Sequence, residues 1–172
     1  TPGVHDDIYW NENNKAIRRE YFDKIKEKAI AYLQNREIFI FDGYAVADPK
    51  YRKKFRVINE MASQNLFIHQ LLIRPTKEQL ESFQIDFTII AAPGFKCDPR
   101  LDGVHSEAAI MIDFEAHMIV IVGTQYSGEI KKSVFTAMNY VMPKEYNVLP
   151  MHCSCNMNPR SHGTTVFFGL SG

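Results

Sequence analysis

Two adjacent lysines follow a glycine-bearing turn in the segment GTQYSGEIKKSVF, residues 123–135. The pattern predicts a strand that ends at Gly123 and a helix that begins near Glu129. The first turn of a helix favours acidic side chains, because the macrodipole is positive there, so Lys131 and Lys132 oppose the dipole and also repel each other. An anion or a metal-bound phosphate in front of this turn would explain both lysines. The alternative is a solvated first turn without a ligand.

A histidine lies in the apolar run LPMHCSCN, residues 149–156, which is typical of a strand. His152 could be a metal ligand, although a lone histidine in such a run is more often a hydrogen-bonded core residue. Cys153 and Cys155 lie two positions apart, so on a strand they would share a face and could bind a soft metal. No CxxC pair accompanies them, and no ligand-spacing rule links His152 to Lys132.

The last nine residues, TTVFFGLSG, run from four β-favouring residues into a glycine turn. A phosphate-binding loop begins in this way, with a glycine, four further residues and then Gly-Lys-Ser/Thr. Gly169 and Gly172 fit the opening of that pattern, in which backbone N–H groups surround phosphate oxygens. The alternative is an ordinary turn after a strand.

Five of the eight residues in PKYRKKFR, residues 49–56, are basic, and two are aromatic. A surface strip that binds nucleic acid would have this composition. The chain as a whole, however, carries twenty basic and twenty acidic side chains and therefore lacks a net positive field. We expect a solvated loop here and no nucleic-acid partner. No apolar run approaches the roughly 20 residues of a spanning helix, so no membrane partner is expected either.

The bulk composition, with 45% hydrophobic and 23% charged residues among 172, predicts one globular domain with a sizeable core. Three cysteines are an odd number and a poor disulfide framework, which favours a reducing compartment. The chain begins TPGVHDD, without an initiator methionine, a signal peptide or a transit peptide. We expect it to be part of a longer protein.

Hydrophobic periodicity predicts irregularly alternating helices and strands, and hence an α/β fold with a mixed sheet and flanking helices. The helix over 16–33 is amphipathic, and the helix over 61–72 is predicted to be mostly buried. A third helix covers 128–142, with a buried stripe of Ile130, Val134, Ala137 and Val141, and a short helical turn covers 76–83. Strands are predicted over 37–46, 56–60, 86–93, 108–114, 118–123, 147–157 and 164–169.

Three motifs in fixed order, YSGEIKK, MHCSCN and FFGLSG, together resemble the signatures of the ATP-dependent phosphoenolpyruvate carboxykinases. The family patterns are Tyr-Ala/Gly-Gly-Glu-Met-Lys-Lys, Met-His-Cys-Ser-Ala-Asn and Phe-Phe-Gly-Leu-Ser-Gly-Thr-Gly-Lys-Thr. The upstream runs FDGYAVADP and FRVINEMASQNLFIHQLLIRP are also similar to the family, so the resemblance covers nearly the whole chain. Departures are mild and remove no functional group; they lie at Ser127, Ile130, Ser133 and Cys155.

The resemblance implies a fold like that family's N-terminal domain, with residues 1–147 in the substrate domain and 148–172 as the first strands of the nucleotide-binding domain. It also implies a cytoplasmic carboxy-lyase of gluconeogenesis. Such an enzyme converts oxaloacetate and ATP to phosphoenolpyruvate, ADP and CO₂, with Mn²⁺, and with Mg²⁺ bound to ATP. Because the family's substrate arginines, a metal-binding aspartate and the P-loop Lys-Thr are not among these residues, the chain alone is expected to be inactive.

The same resemblance implies roles for individual residues. Tyr126 and Gly128 would line the substrate pocket near the carboxylate or CO₂, with Lys132 beside them. Lys131 would offer a cation to the enolate and to the transferring phosphoryl group. Lys132 and His152 would ligate Mn²⁺, an ion that accepts nitrogen ligands more readily than Ca²⁺ does. The phosphates would be wrapped by Gly169, Leu170, Ser171 and Gly172, with Ser171 facing the substrate.

Two other functions fit part of the sequence. Another P-loop small-molecule kinase or NTPase would share the C-terminal glycine turn but would leave the segment from Tyr126 to Lys132 unexplained. A non-catalytic binding module would fit the incomplete metal site and phosphate loop. Thr-Gly-Lys-Thr directly after Gly172, with an aspartate strand further on, would favour the carboxykinase.

Overall fold

The computed structural model describes residues 2–169, and within them the chain forms five helices and seven strands. The helices are α1 (Pro2–His5), α2 (Arg19–Leu33), α3 (Ala62–Leu71), α4 (Lys77–Glu81) and α5 (Gly128–Tyr146). The strands are β1 (Phe39–Ala45), β2 (Lys53–Asn59), β3 (Phe87–Ala92), β4 (Ala109–Asp113), β5 (Met118–Val122), β6 (Ser154–Met157) and β7 (Thr164–Phe167). The chain divides into two compact units, Thr1–Ala137 and Met138–Gly172.

Strands β1 to β5 form one sheet in the first unit, in the order β1-β2-β3-β5-β4. The pairs β2–β3 and β3–β5 are parallel, whereas the edge strands β1 and β4 pair antiparallel with their neighbours. The inner strands β3 and β5 are nearly continuous apolar runs and are buried on both faces, as parallel strands inside an α/β sheet usually are. The predicted mixed sheet with flanking helices is therefore confirmed.

Helix α2 is the predicted amphipathic helix, three residues shorter at its start than the predicted range. Arg18 precedes it with extended backbone angles, so the helical run begins at Arg19. Its apolar residues recur at helical spacing and enter a buried cluster with Ile90, Val120 and Val122 of the sheet. The α2 residues in that cluster are Phe22, Ile25, Ala29 and Leu33.

A buried carboxylate binds two lysines of α2. Asp102 is 1% exposed, and its Oδ1 accepts a hydrogen bond from Lys28 Nζ at 2.6 Å and lies 3.3 Å from Lys24 Nζ. The backbone N–H of Asp98 donates to Oδ2 at 2.9 Å. Burial alone would raise the pKa of Asp102, but these hydrogen bonds to its charged form outweigh burial and lower that pKa.

A second buried carboxylate, Asp113 at the end of β4, accepts a short hydrogen bond from Arg19 at the start of α2. The backbone N–H groups of Glu115 and Ala116 also donate to Asp113, each at 3.1 Å, and close the turn to β5. Burial would raise the pKa of Asp113, yet the Arg19 and backbone hydrogen bonds lower it. Asp113 thus holds the start of α2, and Asp102 holds its middle through Lys24 and Lys28.

Helix α3 corresponds to the predicted helix over 61–72, but the prediction that it is mostly buried is wrong. Only Gln64 and Ile68 of α3 are buried, while Leu66 is 62% exposed and Leu71 is also exposed. The helix packs against β1 and β2 through one face, so Leu66 and Leu71 remain on the surface. The buried polar residue Gln64 lies on the packed face.

Helix α5 begins at Gly128 and continues to Tyr146, with Pro143 near its end. The predicted stripe is confirmed, because Ile130 and Ala137 are fully buried and Val134 and Val141 are buried too. Burial of each isoleucine or valine of this stripe contributes about 1.5–3 kcal/mol to folding. None of the helices within residues 2–169 is both long enough and apolar enough to cross a membrane.

In the second unit, β6 and β7 form a two-stranded antiparallel sheet in which Ser154 pairs with Phe167. All eight strand residues are exposed. The strand predicted over 147–157 begins only at Ser154, and the one over 164–169 ends at Phe167. Pro150 lacks an N–H group to donate to a neighbouring strand, which accounts for the irregular backbone before β6.

Candidate active site

The loop between β5 and α5, which we call the 123–128 loop, begins with a glycine that the backbone requires. Gly123 has φ +71°, and a Cβ at this position would collide with the carbonyl oxygen of Glu107 and the Cα of Ala108. Since L-residues rarely adopt this angle, only glycine turns the chain here without strain. The loop therefore leaves the carboxyl end of β5 in a fixed direction.

Tyr126 lies at the tip of the 123–128 loop with its side chain 58% exposed. Its backbone N–H donates to Thr124 Oγ1 at 3.2 Å, and its carbonyl accepts from the N–H of Glu129 at 3.1 Å. A Cβ on Gly128 would overlap the Tyr126 ring. The predicted pair Tyr126 and Gly128 thus forms one packed unit at the start of α5.

Lys131 and Lys132, both predicted site residues, lie in the first turns of α5, and both are exposed. Lys132 Nζ lies 5.1 Å from the centroid of the Tyr126 ring and 4.0 Å from Glu129 Oε1. The structure therefore brings three of the predicted site residues together, namely Tyr126, Gly128 and Lys132. Successive side chains leave a helix about 100° apart, so Lys131 cannot face the same direction as Lys132.

The exposed site is carried by a firmly packed helix start. Ile130 is fully buried and Ser133 is 2% exposed, although each neighbours a lysine in the chain. This alternation follows from helical geometry, in which one face of the helix is buried while the opposite face reaches solvent. Tyr126 and the lysines consequently present polar groups on a rigid support, an arrangement suited to binding an anion.

The other predicted site residues belong to the second unit. His152 is exposed and precedes β6, so the prediction that it lies in a strand is wrong, and the alternative of a core histidine does not hold either. Gly169 follows β7 and is exposed, with open space around the position of a Cβ. Leu170, Ser171 and Gly172 lie outside the described residues. Because Lys132 and His152 belong to different units, their convergence on one metal ion stays a prediction.

Sequence reasoning missed two residues that shape the site. Glu129 supplies a carboxylate beside Lys132, and its place in a first helical turn was a usable signal. Gln64 of α3 donates a hydrogen bond from Nε2 to the backbone carbonyl of Gln125 at 3.3 Å. The only trace of that bond in the sequence is a polar residue on the apolar face of a helix.

Over residues 2–169, no three His, Cys, Asp or Glu side chains are grouped so that they could hold a metal ion. A metal centre that includes Lys132 or His152 would therefore need further ligands. The three cysteines are free thiols, and burial raises the pKa of Cys97 to about 11. Cys97 is accordingly a core residue with little thiolate at neutral pH.

The chain is therefore an α/β protein in which an exposed tyrosine and a cationic helix start lie at the carboxyl end of an inner strand. Comparison with known families gives a match over residues 1–172 to the family described as phosphoenolpyruvate carboxykinase. The chain belongs to the phosphoenolpyruvate carboxykinase family.

Three relatives illustrate the match. The phosphoenolpyruvate carboxykinase (ATP) of Fusobacterium nucleatum is 63% identical over 172 residues, and that of Caldanaerobacter subterraneus is 56% identical over 171. Phosphoenolpyruvate carboxykinase (ATP) 1 of Moorella thermoacetica is 51% identical over 172 residues. The alignments cover 99–100% of this chain but 32% of each relative, so the chain spans about a third of the length of these relatives.

Proposed function

We propose that the protein to which this chain belongs is an ATP-dependent phosphoenolpyruvate carboxykinase. It converts oxaloacetate and ATP to phosphoenolpyruvate, ADP and CO₂, a decarboxylating lyase reaction of gluconeogenesis. The observation that carries the proposal is the packed group of Tyr126, Gly128 and Lys132 at the start of α5, in a chain that matches the family along its full length. Relatives that share half or more of its residues are named as the ATP-dependent enzyme.

The chemistry needs two events in one site. The carbon–carbon bond to the departing CO₂ breaks and leaves its electron pair on an enolate, whose oxygen then attacks the γ-phosphorus of ATP while ADP leaves. Phosphoryl transfer of this kind depends mainly on positioning and on neutralising charge. Exposed cations on a rigid helix start, backed by the buried Ile130, supply both.

We assign the residues of the first unit as follows. Tyr126 and Gly128 line the pocket for the oxaloacetate carboxylate or CO₂, with Lys132 beside them. Lys131 provides a cation to the enolate oxygen and to the transferring phosphoryl group. The mutual packing of Tyr126 and Gly128 supports this assignment, because a ring held against the helix start can orient a small substrate.

For a divalent metal we assign Lys132 and His152 as ligands, with Mn²⁺ as the ion, and we assign Mg²⁺ to ATP. Imidazole and amine nitrogens suit such an ion. Lys132 is 63% exposed, so its amine is accessible to a metal ion. A lysine that ligates must first lose its proton. When bound, the dication neutralises charge on the enolate and phosphoryl oxygens.

For ATP we assign the phosphate loop to Gly169, Leu170, Ser171 and Gly172, with Ser171 on the substrate side. We also infer that residues 1–147 belong to the substrate domain and 148–172 to the nucleotide-binding domain. The free thiols Cys153 and Cys155 are compatible with a cytoplasmic location, which is part of the proposal.

The test is product formation by the full-length protein with oxaloacetate, ATP and Mn²⁺. We expect phosphoenolpyruvate and ADP in equal amounts, with no product when GTP replaces ATP. ATP hydrolysis that does not depend on oxaloacetate would instead identify another P-loop NTPase. A protein that binds these ligands and turns over neither would be a binding module.

A further inference from the structure

Gln64 of α3 is a buried polar residue whose position is not explained by packing. It is 1% exposed and lies one helical turn before Ile68, on the face of α3 that packs against the sheet. Its Nε2 donates to the carbonyl oxygen of Gln125, which lies 61 positions later in the 123–128 loop. A side chain of the inner helix face therefore reaches the backbone next to Tyr126.

The other half of the same carboxamide has no hydrogen-bond partner among residues 2–169. Gln64 Oε1 is buried and receives no donor there. A buried acceptor without a donor costs free energy, whereas a methionine or leucine of similar volume would fill the space without that cost. A glutamine at this position therefore lowers the stability of the fold, and residues that do so are often found at functional sites.

The hydrogen bond falls where it can set the direction of Tyr126. Gly123 fixes the start of the 123–128 loop, and the Tyr126 carbonyl joins α5 through the Glu129 N–H. Between these two fixed points, the Gln125 carbonyl defines the peptide plane that immediately precedes Tyr126. A change in that plane rotates the Tyr126 backbone and moves its ring relative to Lys132.

We propose that Gln64 is a positioning residue that holds the 123–128 loop through the Gln125 carbonyl and so places Tyr126 for the oxaloacetate carboxylate. The inference rests on the proposed function, and it adds a residue of α3 to a site otherwise built from the loop and α5. Gln64 does not touch the substrate; it acts through the backbone of the loop.

The test uses Gln64→Met in the full-length protein, which keeps the side-chain length and removes the donor. We expect KM for oxaloacetate to rise roughly tenfold while KM for ATP stays within about twofold, because only the carboxylate pocket is disturbed. The melting temperature should be unchanged or higher, since the buried unpaired oxygen is removed. Amide hydrogen exchange of peptides covering 123–128 should become several-fold faster.

Ile68→Val is the matched control, because it alters a buried side chain one turn further along α3 and leaves the Gln64 hydrogen bond to the loop in place. It should lower the melting temperature and leave both KM values and the exchange of the loop as in the wild type. A purely structural role for Gln64 would give the reverse pattern for Gln64→Met, with lost stability and unchanged KM values. That pattern would overturn the inference.

The two proposals fail in different ways. If the wild-type protein makes phosphoenolpyruvate and Gln64→Met changes neither the loop exchange nor KM for oxaloacetate, the inference is wrong and the proposed function stands. If the wild-type protein makes no phosphoenolpyruvate, the proposed function is wrong, and the substrate role of Gln64 is wrong with it.

Discussion

At the scale of single residues, the candidate site depends on the absence of a side chain at Gly128. The Tyr126 ring occupies the place that a Cβ of residue 128 would take. The ring is exposed and can swing away, so a methyl group here would displace the ring and leave the helix intact. Alanine at position 128 should therefore disturb the position of Tyr126 without disturbing the helix, so this substitution separates function from stability.

We therefore expect Gly128→Ala to raise KM for oxaloacetate roughly tenfold through misplacement of Tyr126, with the melting temperature unchanged or slightly higher. Steady-state kinetics and thermal unfolding of the full-length protein measure the two effects. Ser127→Ala is the control, because it adds no atom to the helix start. Equal KM values for Gly128→Ala and the wild type would show that the ring position does not matter.

At the scale of elements, α2 is held to the first unit by carboxylates as well as by its apolar face. Asp102 is bound by Lys28 and Asp113 by Arg19, and the pKa of each carboxyl is lowered in the folded state. A carboxyl whose folded pKa lies below the unfolded value of about 3.9 stabilises the fold above that value. The stabilisation is lost as the pH falls through the lower, folded pKa.

Asp113→Asn should reduce the free energy of unfolding by about 1–3 kcal/mol near neutral pH, because Arg19 loses a charged partner while one acceptor remains. Urea unfolding between about pH 7 and about pH 3 should show the difference from the wild type shrinking below about pH 4, because Asp113 of the unfolded chain takes up a proton before the folded carboxyl, whose pKa is lower, does. The 93% exposed Asp6 supplies the control, Asp6→Asn, with no comparable effect. A difference that stays constant down to the lowest pH would contradict this account.

Periodicity in the sequence was sufficient to predict the elements that are buried on a defined face. The stripe from Phe22 to Leu33 specified α2, and the apolar runs of β3 and β5 specified inner strands, because burial follows directly from these patterns. The exposure of Leu66 on α3 could not be predicted in this way. It depends on how much of the helix the edge of the sheet covers.

The site was predictable only in part, for a similar reason. The grouping of Tyr126, Gly128 and Lys132 is local in sequence, so the motif sufficed to find it. The hydrogen bond from Gln64 to Gln125 joins residues 61 positions apart, and only the fold brings them together. The irregular backbone at His152 does not follow from the apolar pattern, because Pro150 lacks the N–H group that strand pairing needs.

At the scale of the whole molecule, the chain supplies the sheet, the 123–128 loop and the start of α5, and it spans about a third of the length of its relatives. The proposed reaction therefore belongs to the full-length protein, in which Lys132 would meet its further metal ligands. Lys131 and Lys132 are neighbours in the chain, but they leave the helix in different directions. Because of this difference in direction, we expect Lys131 and Lys132 to have different functions.

The most direct test measures the rate of phosphoenolpyruvate formation against Mn²⁺ concentration for Lys131→Arg and Lys132→Arg in the full-length protein. Lys132→Arg should lose nearly all Mn²⁺-dependent activity, because a guanidinium stays protonated and cannot donate a lone pair to a metal. Lys131→Arg keeps a cation near the phosphoryl group and should retain part of the rate, with a lower kcat and an unchanged Mn²⁺ requirement. If Lys132→Arg keeps a normal Mn²⁺ dependence while Lys131→Arg loses it, the two assignments are reversed. If both variants match the wild type, the lysines are a solvated surface and neither assignment is correct.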